Sequence, residues 1–106
     1  MKEIGVRELK EALDKGEDIQ LIDVREPWEH KQGNIGGENI PVGIVPDEFG
    51  KISKNKKVII YCRSGVRSAN CIKFLESDHG FQENLYNLVG GILDWSDKID
   101  PSIPKY

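Results

Sequence analysis

Cys62 opens the stretch of sequence whose residue types best suit covalent chemistry, the loop Cys62-Arg63-Ser64-Gly65-Val66-Arg67-Ser68. A turn that leads from a strand into a helix directs several backbone N–H groups into one concavity, and the helix adds the positive end of its dipole. Arg63 and Arg67 add formal positive charge, and Gly65 permits backbone angles that other residues resist. A thiol in that field is expected to favour the thiolate, which is the nucleophilic form of cysteine.

The alternative is that Cys62 is an ordinary buried cysteine at the end of a strand, which is the usual fate of a free cysteine. That interpretation leaves two arginines beside it unexplained. An ordinary thiol is only a few per cent ionised at neutral pH, and each tenfold gain in thiolate takes about 1.4 kcal/mol. One helix end, at roughly 0.3–1 kcal/mol, is too weak alone, whereas several N–H donors and an arginine together are adequate. The sequence therefore favours a reactive Cys62.

The other cysteine, Cys71, falls on the predicted helix after the loop, on the side shared with Phe74 and Leu75. We predict that it packs in the core, with a role as a resolving thiol left open. The two cysteines and two histidines lack the paired spacing of zinc ligands, so no metal site and no cofactor are expected.

Short apolar runs alternate with helical patterns along the chain, which predicts βαβ units. The patterns predict a helix from residue 6 to a stop at Gly16, a strand over 19–24, a helix over 26–32, a brief strand over 39–42, a short helix over 46–52, a strand over 58–61, a helix over 68–77, a strand over 85–88 and a helix over 92–98. The fold class predicted is α/β, with a mainly parallel central sheet flanked by helices on both faces. Such sheets bind ligands beyond the carboxyl ends of their strands, which points to the residues after Tyr61.

The composition fits one soluble domain over residues 1–106, since 38% of the residues are hydrophobic and 31% are charged. The formal net charge is −3 and no concentrated basic face is evident, so nucleic acid is not an expected partner. The first residues lack the apolar stretch of a signal peptide, and no run approaches the ~18 apolar residues of a membrane span. The sequence therefore predicts a cytoplasmic protein that does not bind membranes.

Two further segments carry glycines and charges in distinctive order. One begins Asp23-Val24-Arg25-Glu26 and continues to Gly33-Asn34-Ile35-Gly36-Gly37-Glu38-Asn39-Ile40-Pro41, and the other is Leu88-Val89-Gly90-Gly91-Ile92-Leu93-Asp94-Trp95. With the cysteine loop between them, they resemble the D-V-R-E…G-H-I-x-G-A-x-N-I-P and L-x-G-G-x-x-x-W segments of the rhodanese family. The sequence departs from that pattern at Asn34, Gly36 and Glu38, which are away from the cysteine loop.

The resemblance implies a rhodanese-like domain and a sulfurtransferase mechanism. Cys62 is then the catalytic nucleophile, which takes the outer sulfur of thiosulfate or a similar donor as a persulfide while sulfite departs. The donor and the persulfide are held by the loop residues Arg63, Ser64, Gly65, Val66 and Arg67. Cyanide or a thiol then removes the sulfur, and no general base is required because a thiolate is already a nucleophile. Asp23 and Arg25, at the end of a predicted strand, could contact substrate, but a structural ion pair that fixes the loop is favoured, and the resemblance suggests the same.

Two alternatives to a free thiosulfate enzyme remain. The first is a relay module that passes its persulfide to a protein acceptor and releases it slowly to small molecules. The second is a phosphatase or arsenate reductase, but those use a C-x5-R loop, and Cys62 to Arg67 is one residue shorter. Loop length therefore favours a sulfur substrate over phosphate.

Overall fold

The fold is an α/β sandwich built around one five-stranded sheet, in a computed structural model that describes residues 1–105. The strands are β1 (Lys2–Ile4), β2 (Ile19–Asp23), β3 (Glu38–Asn39), β4 (Lys57–Tyr61) and β5 (Leu85–Leu88). The helices are α1 (Val6–Asp14), α2 (Pro27–Gln32), α3 (Val45–Glu48), α4 (Val66–Asp78) and α5 (Gly91–Lys98), and short 3-10 turns flank α3 at Val42–Ile44 and Phe49–Lys51.

Every pair of neighbouring strands is parallel, in the order β1-β5-β4-β2-β3. The carboxyl ends of all five strands consequently meet at one edge of the sheet. The central strand β4 aligns Ile60 with Ile22 of β2 on one side and with Asn87 of β5 on the other. The segment that follows β4 therefore begins in the middle of that edge, between the segments that follow β2 and β5.

The side chains of β4 alternate between two separate cores, as the period of a strand requires. Val58, Ile60 and Cys62 pack in a core that is closed by residues of α3 and α4. Ile59 and Tyr61 pack in the opposite core, which α1 and α5 close. Because both faces of β4 are buried, its sequence is an unbroken apolar run, as the prediction of helices on both faces required.

Four details differ from the sequence prediction. The strand β1 was not predicted, because only Ile4 of its three residues is buried and so few residues carry no readable alternation. The predicted strand over 39–42 ends at Asn39, and a 3-10 turn begins at Val42. The predicted helix over 46–52 is divided between α3 and a second 3-10 turn. Helix α4 begins at Val66 rather than Ser68, since Gly65 caps it in the left-handed region.

Within the described residues, no helix is long and apolar enough to cross a membrane.

Candidate active site

The sulfur of Cys62 lies in a cradle of hydrogen-bond donors at the start of α4. Its Sγ accepts from the backbone N–H of Gly65 at 3.1 Å and from that of Ser68 at 3.4 Å, and the Ser68 hydroxyl oxygen is also 3.4 Å away. The residue is only 1% exposed. Backbone donors at a helix N-terminus are suited to a negative charge, so the cradle can hold a thiolate or the terminal sulfur of a persulfide.

Gly65 lets the loop close around the sulfur. Its φ of +105° lies in the left-handed region, where residues with a Cβ are strained. A Cβ at this position would also lie 3.4 Å from the carbonyl oxygen of Leu88. Glycine therefore allows the N–H of residue 65 to point at the sulfur while the chain passes close to the end of β5.

Helix α5 supports the loop from the other side through its first N–H groups. Ile92 N donates to Cys62 O at 2.9 Å, and Leu93 N donates to Arg63 O at 3.1 Å. The approach is so close that a Cβ on Gly91 would lie 2.6 Å from Cys62 O. The Gly90-Gly91 pair is thus a turn that lets the start of α5 pack directly against the backbone of the cysteine loop.

Arg67 forms a bidentate ion pair with Glu29 of α2, with distances of 2.7 and 2.9 Å from its two terminal nitrogens to the two carboxylate oxygens. Glu29 is only 4% exposed, and its Oε1 also accepts from Glu26 N at 3.0 Å in the capping box of α2. The charge of Arg67 is therefore partly offset by a carboxylate, a partner that the sequence interpretation did not include. Of the other loop residues, Arg63 is half-buried, and Ser64 and Val66 are exposed.

Asp23 and Arg25 form a fully buried ion pair, with Arg25 Nη2 2.7 Å from Asp23 Oδ2. The guanidinium also donates to the carbonyl oxygens of Gly33 at 2.8 Å and Glu29 at 3.3 Å, so it joins α2 and its C-terminal cap to the end of β2. His30 Nδ1 lies 2.8 Å from the same Asp23 oxygen. Neither member of the pair is exposed, which agrees with the structural role predicted for it.

Tyr61 fixes the glycine-rich segment before β3. Its buried hydroxyl donates to Gly36 O at 3.0 Å and accepts from Ile35 N at 3.2 Å. Burial, followed by the nearby carboxylate of Asp23, raises the pKa of the Tyr61 phenol well above its usual value. The phenol therefore acts as a neutral structural crosslink.

Cys71 lies in the core beneath α4, where it was predicted. Burial, and to a lesser extent the proximity of Cys62, raises the pKa of the Cys71 thiol to about 11. Such a thiol is ionised only on the order of one part in ten thousand at neutral pH. Cys71 is consequently a poor nucleophile, and the resolving role that the sequence left open finds no support.

Three residues that lie in the Cys62 loop or hydrogen-bond to it were not assigned a role from the sequence: Glu29, Ser68 and Asn87. Glu29 gave no local signal. Ser68 stood next to Arg67, and Asn87 was the one amide in the apolar run Leu85–Leu88, an unusual residue for a buried strand. Trp28 is 57% exposed on α2, whereas Trp95 is buried in the core that α1 and α5 close.

The sequence profile of the family described as "Rhodanese-like domain" matches residues 5–98, which span α1 to α5. The chain belongs to the rhodanese-like domain family. The rhodanese resemblance and the α/β fold predicted from the sequence are thereby confirmed. The matched residues include the whole Cys62 loop.

Known relatives and solved structures are similar to this chain over nearly its full length. A protein of Allochromatium vinosum named sulfurtransferase is 36% identical over 98 residues, which cover 91% of this chain and 89% of the relative. The crystal structure of a rhodanese-like domain protein from Staphylococcus aureus is similar with a TM-score of 0.82 and 34% identity, covering 93% of this chain and 95% of that one. A rhodanese-related protein from Thermoplasma volcanium gives a TM-score of 0.81 at 30% identity, covering 93% and 94%.

Proposed function

We propose that this rhodanese-like domain is a thiosulfate sulfurtransferase that carries sulfur on Cys62 and passes it to cyanide or a small thiol. The observation that carries the proposal is the position of Cys62 Sγ, which accepts two backbone N–H groups at the N-terminus of α4. These donors favour a negatively charged sulfur without a neighbouring base. Attack by a thiolate and departure of sulfite require no proton transfer, so the cradle is sufficient for the chemistry.

The reaction has two steps that balance in atoms and charge. The Cys62 thiolate attacks the outer sulfur of thiosulfate, a new S–S bond forms, and the S–S bond of thiosulfate breaks. Sulfite leaves with the bonding electron pair, and the persulfide retains a single negative charge in the cradle. Cyanide or a thiolate then attacks the terminal sulfur, which leaves as thiocyanate or as a new persulfide, and the Cys62 thiolate is restored.

A small anionic donor suits the size and charge of the site. The loop from Cys62 to Arg67 has four residues between its ends, one fewer than the C-x5-R loops that bind phosphate. The two loop arginines and the Glu29 carboxylate leave a formal excess of one positive charge, which attracts an anion. Cys62 itself is almost completely buried, so the proposal requires the acceptor to attack the added outer sulfur, which extends beyond Sγ.

Steady-state turnover tests the donor and the acceptor together. Thiosulfate and cyanide should give thiocyanate with the purified protein alone, and Cys62→Ser should abolish it. Cys71→Ser is the matched control, because it alters the other free thiol, and it should retain activity. Absence of thiocyanate from the unmodified protein, with the fold confirmed by circular dichroism, would contradict thiosulfate as the donor or cyanide as the acceptor.

The second candidate function is a relay that delivers sulfur to a protein thiol, and one structural observation favours it. Among residues 1–105, five of the seven exposed large hydrophobic side chains follow the carboxyl ends of β2 to β5, the edge that holds Cys62. They are Trp28, Val42, Ile44, Val66 and Val89. Exposed apolar side chains concentrated around a site are typical of a surface that another protein covers. The sequence had given no indication of such a surface.

Rates of the two half-reactions separate the candidates. A free enzyme should load sulfur from thiosulfate and release it to cyanide at comparable rates without any other protein. A relay should load quickly and release slowly until a protein acceptor arrives. Val89→Ser and Ile44→Ser should then slow the delivery to protein only, while Leu13→Ser, an exposed apolar position on α1, should change neither rate. Fast release of sulfur to cyanide or a small thiol by the unmodified protein alone would contradict the relay.

A further inference from the structure

Asn87 lies on the neighbouring strand β5 and joins two parts of the Cys62 loop. It is 6% exposed, and its Nδ2 donates to Gly65 O at 3.2 Å. Its Oδ1 accepts from the hydroxyl of Ser68. Ser68 is fully buried and its hydroxyl oxygen is also 3.4 Å from Cys62 Sγ. A chain of contacts therefore leads from the sulfur through Ser68 to Asn87.

The direction of each hydrogen bond in this chain follows from what the groups can donate. Gly65 O only accepts, so the nitrogen of the Asn87 amide must face it, and the amide oxygen must then face Ser68. That oxygen also only accepts, so Ser68 must direct its single proton towards Asn87. The Ser68 oxygen consequently presents a lone pair to Cys62, and it can accept the S–H of a thiol but cannot at the same time donate to the sulfur.

Ionisation of Cys62 reverses this arrangement. A thiolate or a terminal persulfide sulfur has no proton to donate and needs donors. The Ser68 hydroxyl meets that need by turning its proton from Asn87 Oδ1 to the sulfur, which leaves a buried amide oxygen without its partner. An unsatisfied buried acceptor is costly, so Asn87 competes with the charged sulfur for the same proton.

We propose that Asn87 is a positioning residue that acts through Ser68 to lower the fraction of Cys62 that is present as the thiolate. The Ser68 hydroxyl then serves the thiol as an acceptor and the charged sulfur as a donor. The other charged or titratable groups of the loop and its partners are Arg63 and Arg67, Glu29, which pairs with Arg67, and Cys71 on α4. A substitution at Asn87 replaces none of these groups. The inference concerns the reactivity of the Cys62 thiol. Only the effect of Asn87 on the rate of sulfur transfer rests on the proposed function.

The test is the rate at which iodoacetamide alkylates Cys62 across pH, in a Cys71→Ser background. Asn87→Leu removes the competing acceptor and should raise the rate about threefold to tenfold below neutral pH, shifting the profile to lower pH. Asn87→Asp keeps an acceptor for Ser68 and adds a negative charge, so it should shift the profile to higher pH both through Ser68 and by direct repulsion of the thiolate. Asn87→Leu also loses the bond to Gly65 O, an effect that does not involve Ser68.

The Ser68→Ala background separates the two effects, because loss of the Gly65 bond persists in it while competition for the hydroxyl proton does not. In that background Asn87→Leu should change the alkylation rate less than twofold. Equal shifts of the profile in both backgrounds would overturn the proposal, as would a slower alkylation of folded Asn87→Leu. If Asn87→Leu does not fold, part of the Asn87→Asp shift should be lost in Ser68→Ala, and an undiminished shift in that background would overturn the proposal. Alkylation requires no sulfur donor, so the outcome is independent of whether thiosulfate is the substrate.

Discussion

Arg67 at the end of the cysteine loop and Glu29 on α2 are paired through both carboxylate oxygens, at 2.7 and 2.9 Å. The pair ties the segment after β4 to the segment after β2, on the edge of the sheet where Cys62 lies. It also sets the charge near the sulfur, because a buried carboxylate offsets part of the guanidinium charge. The Glu29 carboxylate thus fixes the position of the Arg67 side chain before a sulfur donor binds.

Replacement of Arg67 tests whether this held arginine attracts the anionic donor. Arg67→Ala should slow sulfur uptake from thiosulfate about tenfold to a hundredfold, since a charge-assisted contact is worth roughly 1.5–3 kcal/mol. Alkylation of Cys62 by neutral iodoacetamide should slow much less. The two rates are measured on the same preparation by stopped-flow and by mass spectrometry.

Glu29→Gln is the matched control for charge. It removes the ion pair but keeps the guanidinium and the shape of the acid, so uptake of thiosulfate should be unchanged or faster. If Arg67→Ala slows both reactions equally, Arg67 is structural and does not select the anion. If Glu29→Gln slows uptake as strongly as Arg67→Ala, the pair itself rather than the positive charge is what the loop requires.

Gly65 should not tolerate a side chain, because its φ of +105° is strained for any residue with a Cβ. Gly65→Ala should lower the free energy of unfolding by about 1–2 kcal/mol and slow alkylation of Cys62, since the Gly65 N–H is displaced from the sulfur. Gly43→Ala is the control, as a Cβ there would meet nothing within 4 Å. Urea titration and alkylation of both variants give the comparison, and equal behaviour would contradict the account of the loop.

Alkaline pH should destabilise the fold through Cys71. The pKa of its thiol is raised from 9.0 to about 11, so the folded state holds a proton that the unfolded state loses first. The stabilisation is complete below pH 9 and is lost as pH rises towards 11, a difference of about 3 kcal/mol. The raised pKa of Tyr61 adds a further loss at higher pH.

The Cys71→Ala variant measures how much of the loss of stability at alkaline pH is due to Cys71. The variant lacks the titrating group, so its free energy of unfolding should fall less steeply between pH 9 and pH 11 than that of the unmodified protein. Its stability at neutral pH should be lower, because a small cavity replaces the sulfur. If the free energy of unfolding falls equally steeply with pH in Cys71→Ala and in the unmodified protein, groups other than Cys71 cause the loss of stability at alkaline pH.

Loss of the buried pair at the end of β2 should affect stability rather than chemistry. Asp23→Asn leaves the guanidinium of Arg25 buried without its countercharge, which should cost about 3–5 kcal/mol in the free energy of unfolding. In the fraction that remains folded, alkylation of Cys62 should proceed at nearly its normal rate. A specific loss of sulfur uptake with unchanged stability would show instead that Asp23 serves the substrate.

The parts of the fold that were predictable depend on local pattern. The apolar run of β4 and the helical composition of α4 placed Cys62 at a strand-to-helix turn, and the alternation of elements predicted the parallel sheet. The strand β1 escaped prediction because two of its three residues are exposed and it is formed by pairing with β5, more than eighty residues later. Its existence depends on the sheet and not on its own sequence.

The hydrogen-bond and ion-pair partners of the site residues could not be predicted from the sequence. Arg67 and Glu29 are 38 positions apart, and Ser68 and Asn87 are 19 apart. Each pair is brought together by the order of strands, in which β2 and β5 lie on either side of β4. A charged or amide side chain near the carboxyl end of a buried strand is a usable signal, and Asn87 carried it. The helical position of Glu29 carried none.

The most direct test of the central claim is the intact mass of the protein before and after incubation with thiosulfate. The account predicts an increase by the mass of one sulfur atom, which cyanide or excess thiol removes. Cys62→Ser should not gain it, and Cys71→Ser should gain it fully, because the raised pKa of the buried Cys71 thiol keeps that residue unreactive. An unmodified protein that gains no sulfur, or a Cys62→Ser variant that still does, would contradict the assignment of Cys62 as the sulfur carrier.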